Sequence, residues 1–371
     1  MTNETLSDTS GKLLNDMTGT NEQQLREAWD AFINNLKALG HNVLDSPPTD
    51  IERVDGIRFI LRQLAYREEQ FLEFPSGHKP ELFFAESPTR KIFADCPDTI
   101  YHQFSVARGG VYRLTGTRGE SPYISFTAYR AGVVDRVVAD LHDGELDING
   151  DGTFSLTVGG PELSGNWLDL DEDAAFVIIR EYTHDRAKGV KAKFDVEQVA
   201  PQIGHRPELD ADRIASTLNL LGISLSWVTD ATVRLSAELR LRPNIMNEAA
   251  AGLVSEMAGT PHNHYQLCYV QLEPGQALEL QINPPPCRYW SVHLNNWWLE
   301  SPEFRDGQSV CINDAQAVRE PDGTVKMLVG PDDPGNGNWL DTKGRTETIL
   351  LARYLLPDNE LPPIITNLIN I

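Results

Sequence analysis

The segment Asp98-Thr99-Ile100-Tyr101-His102 places a carboxylate, a phenol and an imidazole within five residues. Side chains alternate along an extended chain, so Asp98 and His102 are expected on one side, the carboxylate orienting the imidazole or exchanging a proton with it. The plainer alternative is a capping Asp in a turn beside a surface His. A second grouping is His262-Asn263-His264 with His293. Two rings at i and i+2 of a strand point one way, which suits a divalent metal, with His293 or Glu273 as a further ligand. No carboxylate follows the pair at the short interval such sites use, so no metal is expected, and a site built from His262, His264 and His293 stands as an alternative. The third grouping holds three of the seven tryptophans within nine residues: Trp290, Trp297 and Trp298. With Tyr289, His293, Asn295 and Asn296 they offer flat apolar walls and orienting amides for a sugar face or a ring, or else form a packed core corner. Glu300 and Glu303 add acids nearby.

These segments lie inside a duplication. Gly165-Asn166-Trp167-Leu168-Asp169 returns as Gly337-Asn338-Trp339-Leu340-Asp341, 172 residues later. Each copy follows an Asp-Gly turn, Asp151-Gly152 or Asp322-Gly323, and leads into an apolar strand ending in arginine and tyrosine, Val177 to Tyr182 or Ile349 to Tyr354. Pro97-Asp98-Thr99-Ile100-Tyr101 aligns with Pro261-His262-Asn263-His264-Tyr265 at an offset of 164. Pro122 to Phe126 aligns with Arg288 to Val292 at an offset of 166. Solenoid repeats run at roughly 20 to 50 residues, so a period this long marks a doubled domain. What both halves keep, such as Asn-Trp and the strand-end arginines Arg180 and Arg353, is explained by folding. Polar residues that differ at matched positions are the better functional candidates: Asp98 against His262, His102 against Gln266, Thr127 against His293, Tyr129 against Asn295, Arg130 against Asn296.

The elements that must position them alternate in kind. Thr20-Asn21-Glu22-Gln23 resembles a capping box opening a helix with Leu25, Trp29, Phe32, Ile33, Leu36 and Leu39 on its packing face. A second helix begins near Thr49 and carries Val54, Ile57, Leu61 and Leu64. From about residue 95 the period changes to two, and short strands separated by Gly, Pro and Asp-Gly signals run to Val199. Helical period returns from Pro207, with a break expected near Gly222, an end at Pro243 and a further helix through Ala250, Leu253, Val254 and Met257. Strands resume at His262. The expected division is a disordered tail over 1–19, a helical segment over 20–94, a first β-sandwich over 95–200, a helical connector over 201–260 and a second β-sandwich over 261–371.

Composition narrows the function classes. With 32 basic and 54 acidic residues the formal charge is −22, which opposes binding to nucleic acid or an anionic membrane. The four cysteines, Cys96, Cys268, Cys287 and Cys311, form no C-x-x-C pair and read as buried thiols of a reducing compartment. The start lacks the basic and apolar regions of a signal peptide, and no stretch of 18 apolar residues exists, so a cytoplasmic protein is expected. There is no G-x-S-x-G elbow, P-loop, dinucleotide fingerprint or H-E-x-x-H, so no nucleotide cofactor is expected.

Arg288-Tyr289-Trp290-Ser291-Val292-His293, Asp322-Gly323-Thr324-Val325, Asn338-Trp339-Leu340 and the strand into Arg353-Tyr354 resemble the bacterial domain of unknown function 1214 family. Pro97 to Tyr101 and the strands after it resemble its usual partner, the domain of unknown function 1254 family. The resemblance implies two jelly-roll-like β domains side by side, a plan similar to that of bacterial peptide:N-glycanase. It imports no assigned activity. The expectation is therefore a mainly β protein of two tandem jelly-roll-like sandwiches with added helices, holding a small-molecule site in the cleft between them. The leading function is a cofactor-independent hydrolase or lyase acting on a small organic or glycan-like molecule. Asp98 and His102 would exchange protons and Tyr101 and His293 would hold developing charge. Trp290, Asn295, Trp297, Trp298, Arg130, His262 and His264 would bind substrate. A non-catalytic carbohydrate- or small-molecule-binding protein is the alternative. The composition is also compatible with a homo-oligomer.

Overall fold

The computed structural model describes residues 5–74, 79–87, 90–130, 136–201, 209–247, 260–302, 307–335 and 337–371, with side chains from residue 21 onward. Helices α1 (Thr5–Asp45) and α2 (Asp50–Glu68) come first, and α2 runs into a π-helical turn at Glu69–Glu73. The first half then contributes β1 (Phe83–Phe84), β2 (Thr99–Ser105), β3 (Val111–Thr117), β4 (Tyr123–Arg130), β5 (Arg136–His142), β6 (Thr153–Val158), β7 (Trp167–Leu168), β8 (Ala174–Tyr182) and β9 (Lys193–Ala200). Helix α3 (Ala211–Arg240) follows. The second half contributes β10 (Met246–Asn247), β11 (Asn263–Gln271), β12 (Gln276–Ile282), β13 (Tyr289–Asn295), β14 (Cys311–Asn313), β15 (Val325–Gly330), β16 (Trp339–Asp341), β17 (Glu347–Leu355) and β18 (Ile365–Asn370).

The duplication is explicit in the sheets. The first half orders its strands β1-β2-β8-β4-β5 and β7-β6-β3-β9, and the second β10-β11-β17-β13-β14 and β16-β15-β12-β18. Each later strand takes the place of its counterpart. In each half the two sheets face each other over their own core, Phe104, Leu114, Phe126, Leu156 and Val177 in the first, Val270, Leu280, Val292, Met327 and Leu350 in the second. The shared Asn-Trp sequence does the same work twice. Asn166 Nδ2 donates to the carbonyls of Asp147 and Ser155, and Asn338 Nδ2 to those of Val318 and Lys326. Trp167 Nε1 donates to Gly159 O at 3.2 Å and Trp339 Nε1 to Gly330 O at 3.0 Å. These residues fix a turn, as expected of features kept by both copies.

The helices pack mainly on the five-stranded face of the second half, while Tyr66 of α2 joins Phe83, Tyr101, Tyr129 and Phe176 on that of the first and donates to Gln103 Oε1 at 2.8 Å. Phe32, Leu39 and Val43 of α1, Phe59 and Ile60 of α2 and Leu225, Val228 and Leu235 of α3 pack on Leu267, Tyr269, Ile349 and Leu351, with Trp297 and Trp298 in the same cluster. Burying one such side chain stabilises by about 1.5–3 kcal/mol, so this layer is a second core. Three helix expectations change. Helix α1 starts at Thr5, inside the stretch 1–19 expected as a disordered tail and upstream of the Thr20 box. No proline precedes Pro47, and a glycine such as Gly11 or Gly19 weakens a helix by only about 1 kcal/mol. Helix α2 starts at the expected cap, with the Thr49 side chain accepting from Glu52 N. Its stripe Val54, Ile57 and Leu61 nevertheless faces outward, while Glu52, Arg62 and Gln63 are buried. Buried partners decide this: Glu52 Oε2 accepts from Trp297 N, and Arg62 Nη1 donates to Glu300 Oε2 at 2.7 Å. Helix α3 is unbroken at Gly222, and one turn further on Ser226 Oγ accepts from Asn35 Nδ2 of α1 at 2.9 Å. The helix expected through Ala250 to Met257, and Glu303, lie outside the described residues.

Candidate functional site

The two halves meet along Tyr123, Tyr182, Tyr289 and Leu355, and each half lends one side chain to the other's sheet. The register shows why. In the first half Ser125 pairs with Arg180 and His142, and Thr127 with Asp140. In the second Ser291 pairs with Arg353 and Asn313, and His293 with Cys311. Paired residues share a face, so each outer face carries an arginine ringed by polar residues, and the polar residues differ between copies. Asp98 and His262 occupy matched turn positions just before β2 and β11. Asp98 Oδ2 reaches the second half's sheet, accepting from Tyr289 Oη at 2.7 Å, Asn313 Nδ2 at 2.8 Å and Cys311 Sγ at 3.4 Å. His262 makes the reciprocal crossing: its Nε2 lies 3.1 Å from Asp140 Oδ2, and its ring packs edge-on against His142 at 4.9 Å.

The first-half cluster pairs a carboxylate with an accessible imidazole. Asp140 is almost enclosed, with 5% of its side chain exposed, whereas His262 keeps 26%. Thr127 Oγ1 donates to Asp140 Oδ1. Arg180 stands behind, donating to Thr127 Oγ1 at 3.0 Å and to Tyr129 Oη at 2.7 Å. Burial raises the Asp140 pKa, against the pull of Thr127, Arg180 and His262 toward the ionised form. Asp140 Oδ2 completes no hydrogen bond among the described residues, so the carboxylate acts on the 26% exposed His262 ring through its charge, and a carboxylate beside an accessible imidazole is equipment for moving a proton. One ligand atom each of His142, Glu145 and His262 also fall within 4.8 Å of one another. The backbone N–H of Gly144 donates to His142 Nδ1 at 3.0 Å, so in the neutral ring Nε2 carries the hydrogen and faces Glu145 Oε2 at 3.6 Å. That tautomer offers no lone pair to an ion at Nε2.

The second-half cluster is enclosed. Arg353 Nη2 approaches His293 Nε2 at 3.4 Å, and its guanidinium lies over the Tyr265 ring. Burial first, and Arg353 second, hold the His293 pKa well below its ordinary value, so the ring is neutral. Burial, reinforced by the neighbouring Cys96, pushes Asp98 up to about 7. Burial opposes ionisation of Cys96, but its hydrogen bond with Cys311 and the Arg353 charge outweigh it and lower its pKa, making Cys96 the more acidic of the two thiols.

Several expected site residues are placed differently. Asp98 and His102 do not pair: Thr99 N bonds back to Cys96 O, so Asp98 sits in a turn and strand alternation begins only at Thr99. His102 instead packs between Phe84 and Phe194, 3.9 Å from Glu181 Oε2. Tyr101 is buried and its Oη accepts the Cys96 N–H. Trp290 belongs to the second sandwich core, and Trp297 and Trp298 to the helix layer, Trp298 stacked on Phe59 and donating to Glu52 O at 2.7 Å. All three fill core rather than wall a cleft. Arg130 is at the surface with Asp171 and Asp173. Asn295 is buried on the helix-facing side of β13. The alternative metal set does not converge: His262 faces Asp140, His264 is exposed, and His293 faces Arg353. Asp140, Cys96, Cys311 and Asn313 were missed, although their strand partners Thr127, His293 and Ser291 were aligned. Extending the repeat by one strand pairs Asp140 with Cys311 and His142 with Asn313.

The fold defines a class, a tandem pair of jelly-roll-like β-sandwiches related by duplication. Within it, residues 271–359 match the sequence model of a family described as protein of unknown function (DUF1214). The chain is similar to the crystal structure of an uncharacterised protein from Burkholderia cenocepacia, at 26% identity over 94% of this chain and 99% of that one, with a TM-score of 0.88. A protein from Vibrio parahaemolyticus aligns over 85% of this chain and 99% of its own at 10% identity and a TM-score of 0.47. No functionally curated protein matches the sequence. Among the described residues no helix is long and apolar enough to cross a membrane.

Proposed function

We propose that this chain is a cofactor-independent enzyme, a hydrolase or lyase, acting on a small organic or glycan-like molecule at the junction of the halves. The 3.1 Å contact between Asp140 and His262, made across that junction, carries the reading. His262 is the proton-transferring group, exposed enough to reach a substrate. Asp140 stands beside its ring as an electrostatic partner, and Arg180 behind them favours negative charge in the cluster. This dyad takes the role first expected of Asp98 and His102. The charge and cysteine usage support a cytoplasmic setting, and the similar structure from Burkholderia cenocepacia supports a bacterial one. The first half's likeness to the 1254 family rests on Pro97 to Tyr101 and the strands that follow.

The test is a turnover screen of esters, amides, glycosides and substrates primed for β-elimination, run with wild type, His262→Gln and Asp140→Asn. Removing a general acid or base lowers kcat by about 10²–10⁴-fold, here with KM little changed. Ligand binding without turnover in the wild type, or turnover unaffected in both variants, would overturn the catalytic reading; the former result describes a binding protein.

A further inference from the structure

Buried polar atoms on the helix-facing side of the second half remain without hydrogen-bond partners among the described residues. They include His293 Nδ1, both Asn295 side-chain atoms, Trp297 Nε1, Glu300 Oε1, Gln63 Nε2 and Arg353 Nε, with Ser291 Oγ beside them on β13. Their residues are nearly inaccessible: His293 and Asn295 are 0% exposed, Gln63 and Glu300 1%, Arg353 3% and Trp297 4%. Buried polar groups are nearly always satisfied, by protein, water or ligand, so such a concentration needs an occupant.

The atoms belong to one neighbourhood. His293 and Asn295 lie two apart on β13, paired with Leu351 and Ile349, which belong to the helix-layer core. Trp297 follows on the same chain. Glu300 is tied to Arg62 of α2, the residue before Gln63. Lys91, which donates to Ser301 Oγ at 2.8 Å, acts electrostatically on both His293 and Glu300.

Their chemistry specifies the occupant. An arginine only donates, so Arg353 makes His293 Nε2 the acceptor and leaves Nδ1 carrying the hydrogen. Five of the open atoms are then donors: His293 Nδ1, Asn295 Nδ2, Trp297 Nε1, Gln63 Nε2 and Arg353 Nε. Two are acceptors, Asn295 Oδ1 and Glu300 Oε1. The Arg353 and Lys91 charges favour an anion, and the acceptors call for a hydroxyl. We infer that this enclosed cluster is a binding site for a small hydroxy acid, the carboxylate taken by the donors beside Arg353 and the hydroxyl by Asn295 and Glu300. It is separate from the Asp140–His262 dyad, which uses the outer face of the other half.

The test has two readouts. Thermal melts of wild type, Trp297→Phe and Asn295→Leu are recorded in glycolate, lactate, propionate and chloride at equal ionic strength. Small molecules released from each denatured protein are identified by mass spectrometry. Glycolate or lactate should raise the wild-type Tm, propionate less and chloride not at all. Trp297→Phe keeps the packing and loses one charge-assisted donor, so its affinity should fall about tenfold or more. Asn295→Leu should lose the response while remaining folded, because it also removes unsatisfied buried atoms. An acid that co-purifies with wild type and is missing from Asn295→Leu is the equivalent positive result where the site is already full. Equal responses in all three proteins would overturn the assignment. So would no response with no released acid, or a crystal structure in which ordered waters alone satisfy these atoms.

Discussion

Replacing Asp98 by Asn should reverse the usual consequence of deleting a buried carboxylate. All three side-chain donors, Tyr289, Asn313 and Cys311, converge on Oδ2. An amide oxygen in that place keeps the three contacts, and its NH₂ replaces Oδ1. What changes is the charge. Burial, with Cys96 beside it, raises the Asp98 pKa from 3.8 to about 7. Between those values the folded chain holds a proton that the unfolded chain has released, so stability falls as pH rises and levels off above pH 7. One unit is worth about 1.36 kcal/mol, so between pH 5.5 and 8 the wild type should lose about 2 kcal/mol through this group alone. The variant has no such loss. Glu52 and Glu300, also raised to about 7 by burial, slope in the same direction but are common to both proteins and cancel in the difference. Guanidinium unfolding of wild type and Asp98→Asn at pH 5.5 and 8 measures it. A difference that stays constant within about 0.5 kcal/mol, or a variant that loses ground as pH rises, would refute a protonated, desolvated Asp98.

Other perturbations read other parts of the structure. A Cβ at Gly56 would come within 2.6 Å of Trp298 Cζ2, so Gly56→Ala should destabilise by about 1–3 kcal/mol in chemical denaturation despite its better helix propensity. Arg62→Met strands buried Glu300 and should cost about 3–5 kcal/mol, with most of the loss recovered when Glu300→Leu is added, as a double-mutant cycle would show. Asn166 and Asn338 make the same turn bonds, but Asn338 is buried and Asn166 only partly so. Calorimetry should therefore find Asn338→Ala costing about 2–3 kcal/mol and Asn166→Ala about 1 kcal/mol. Dialysis against a chelator should leave Tm unchanged, because the His142 tautomer faces Glu145 with a hydrogen; a drop of several degrees would point to an ion at His142 and His262.

The duplication was legible without coordinates because strands tolerate few insertions, so Asn166-Trp167 and Asn338-Trp339 kept their spacing to the strands that follow them. The strands from Val111 to Val199 and from His264 to Leu356 were readable as short apolar or alternating runs bounded by turn residues, although β4, β8, β13 and β17 are buried on both faces. The extra strand Ile365–Asn370 was not, since its exposed apolar residues at the sheet edge mimic a tail. The site was half legible. Alignment singled out position 98 against 262 as divergent, and those are the two residues that cross between halves. It assigned their partners wrongly, because alternation was extended one residue too far, past the turn that ends at Thr99. The tryptophans misled for a related reason. Clustering in sequence looked like a pocket wall, yet Trp290 sits on the sandwich side of β13 and the other two in the turn beyond it, buried under helices more than 200 residues earlier in the chain.

Composition and periodicity by themselves determined a pair of β-sandwiches with helical additions, because strand alternation, turn residues and a repeated signature are local properties of the chain. Which polar groups meet was decided by tertiary structure. Asp140 reaches His262, and Asp98 reaches Tyr289, only because two copies of one fold pack side by side and each inserts a turn into the other. Such pairings join residues over a hundred positions apart, and their energies depend on burial that no sequence window contains.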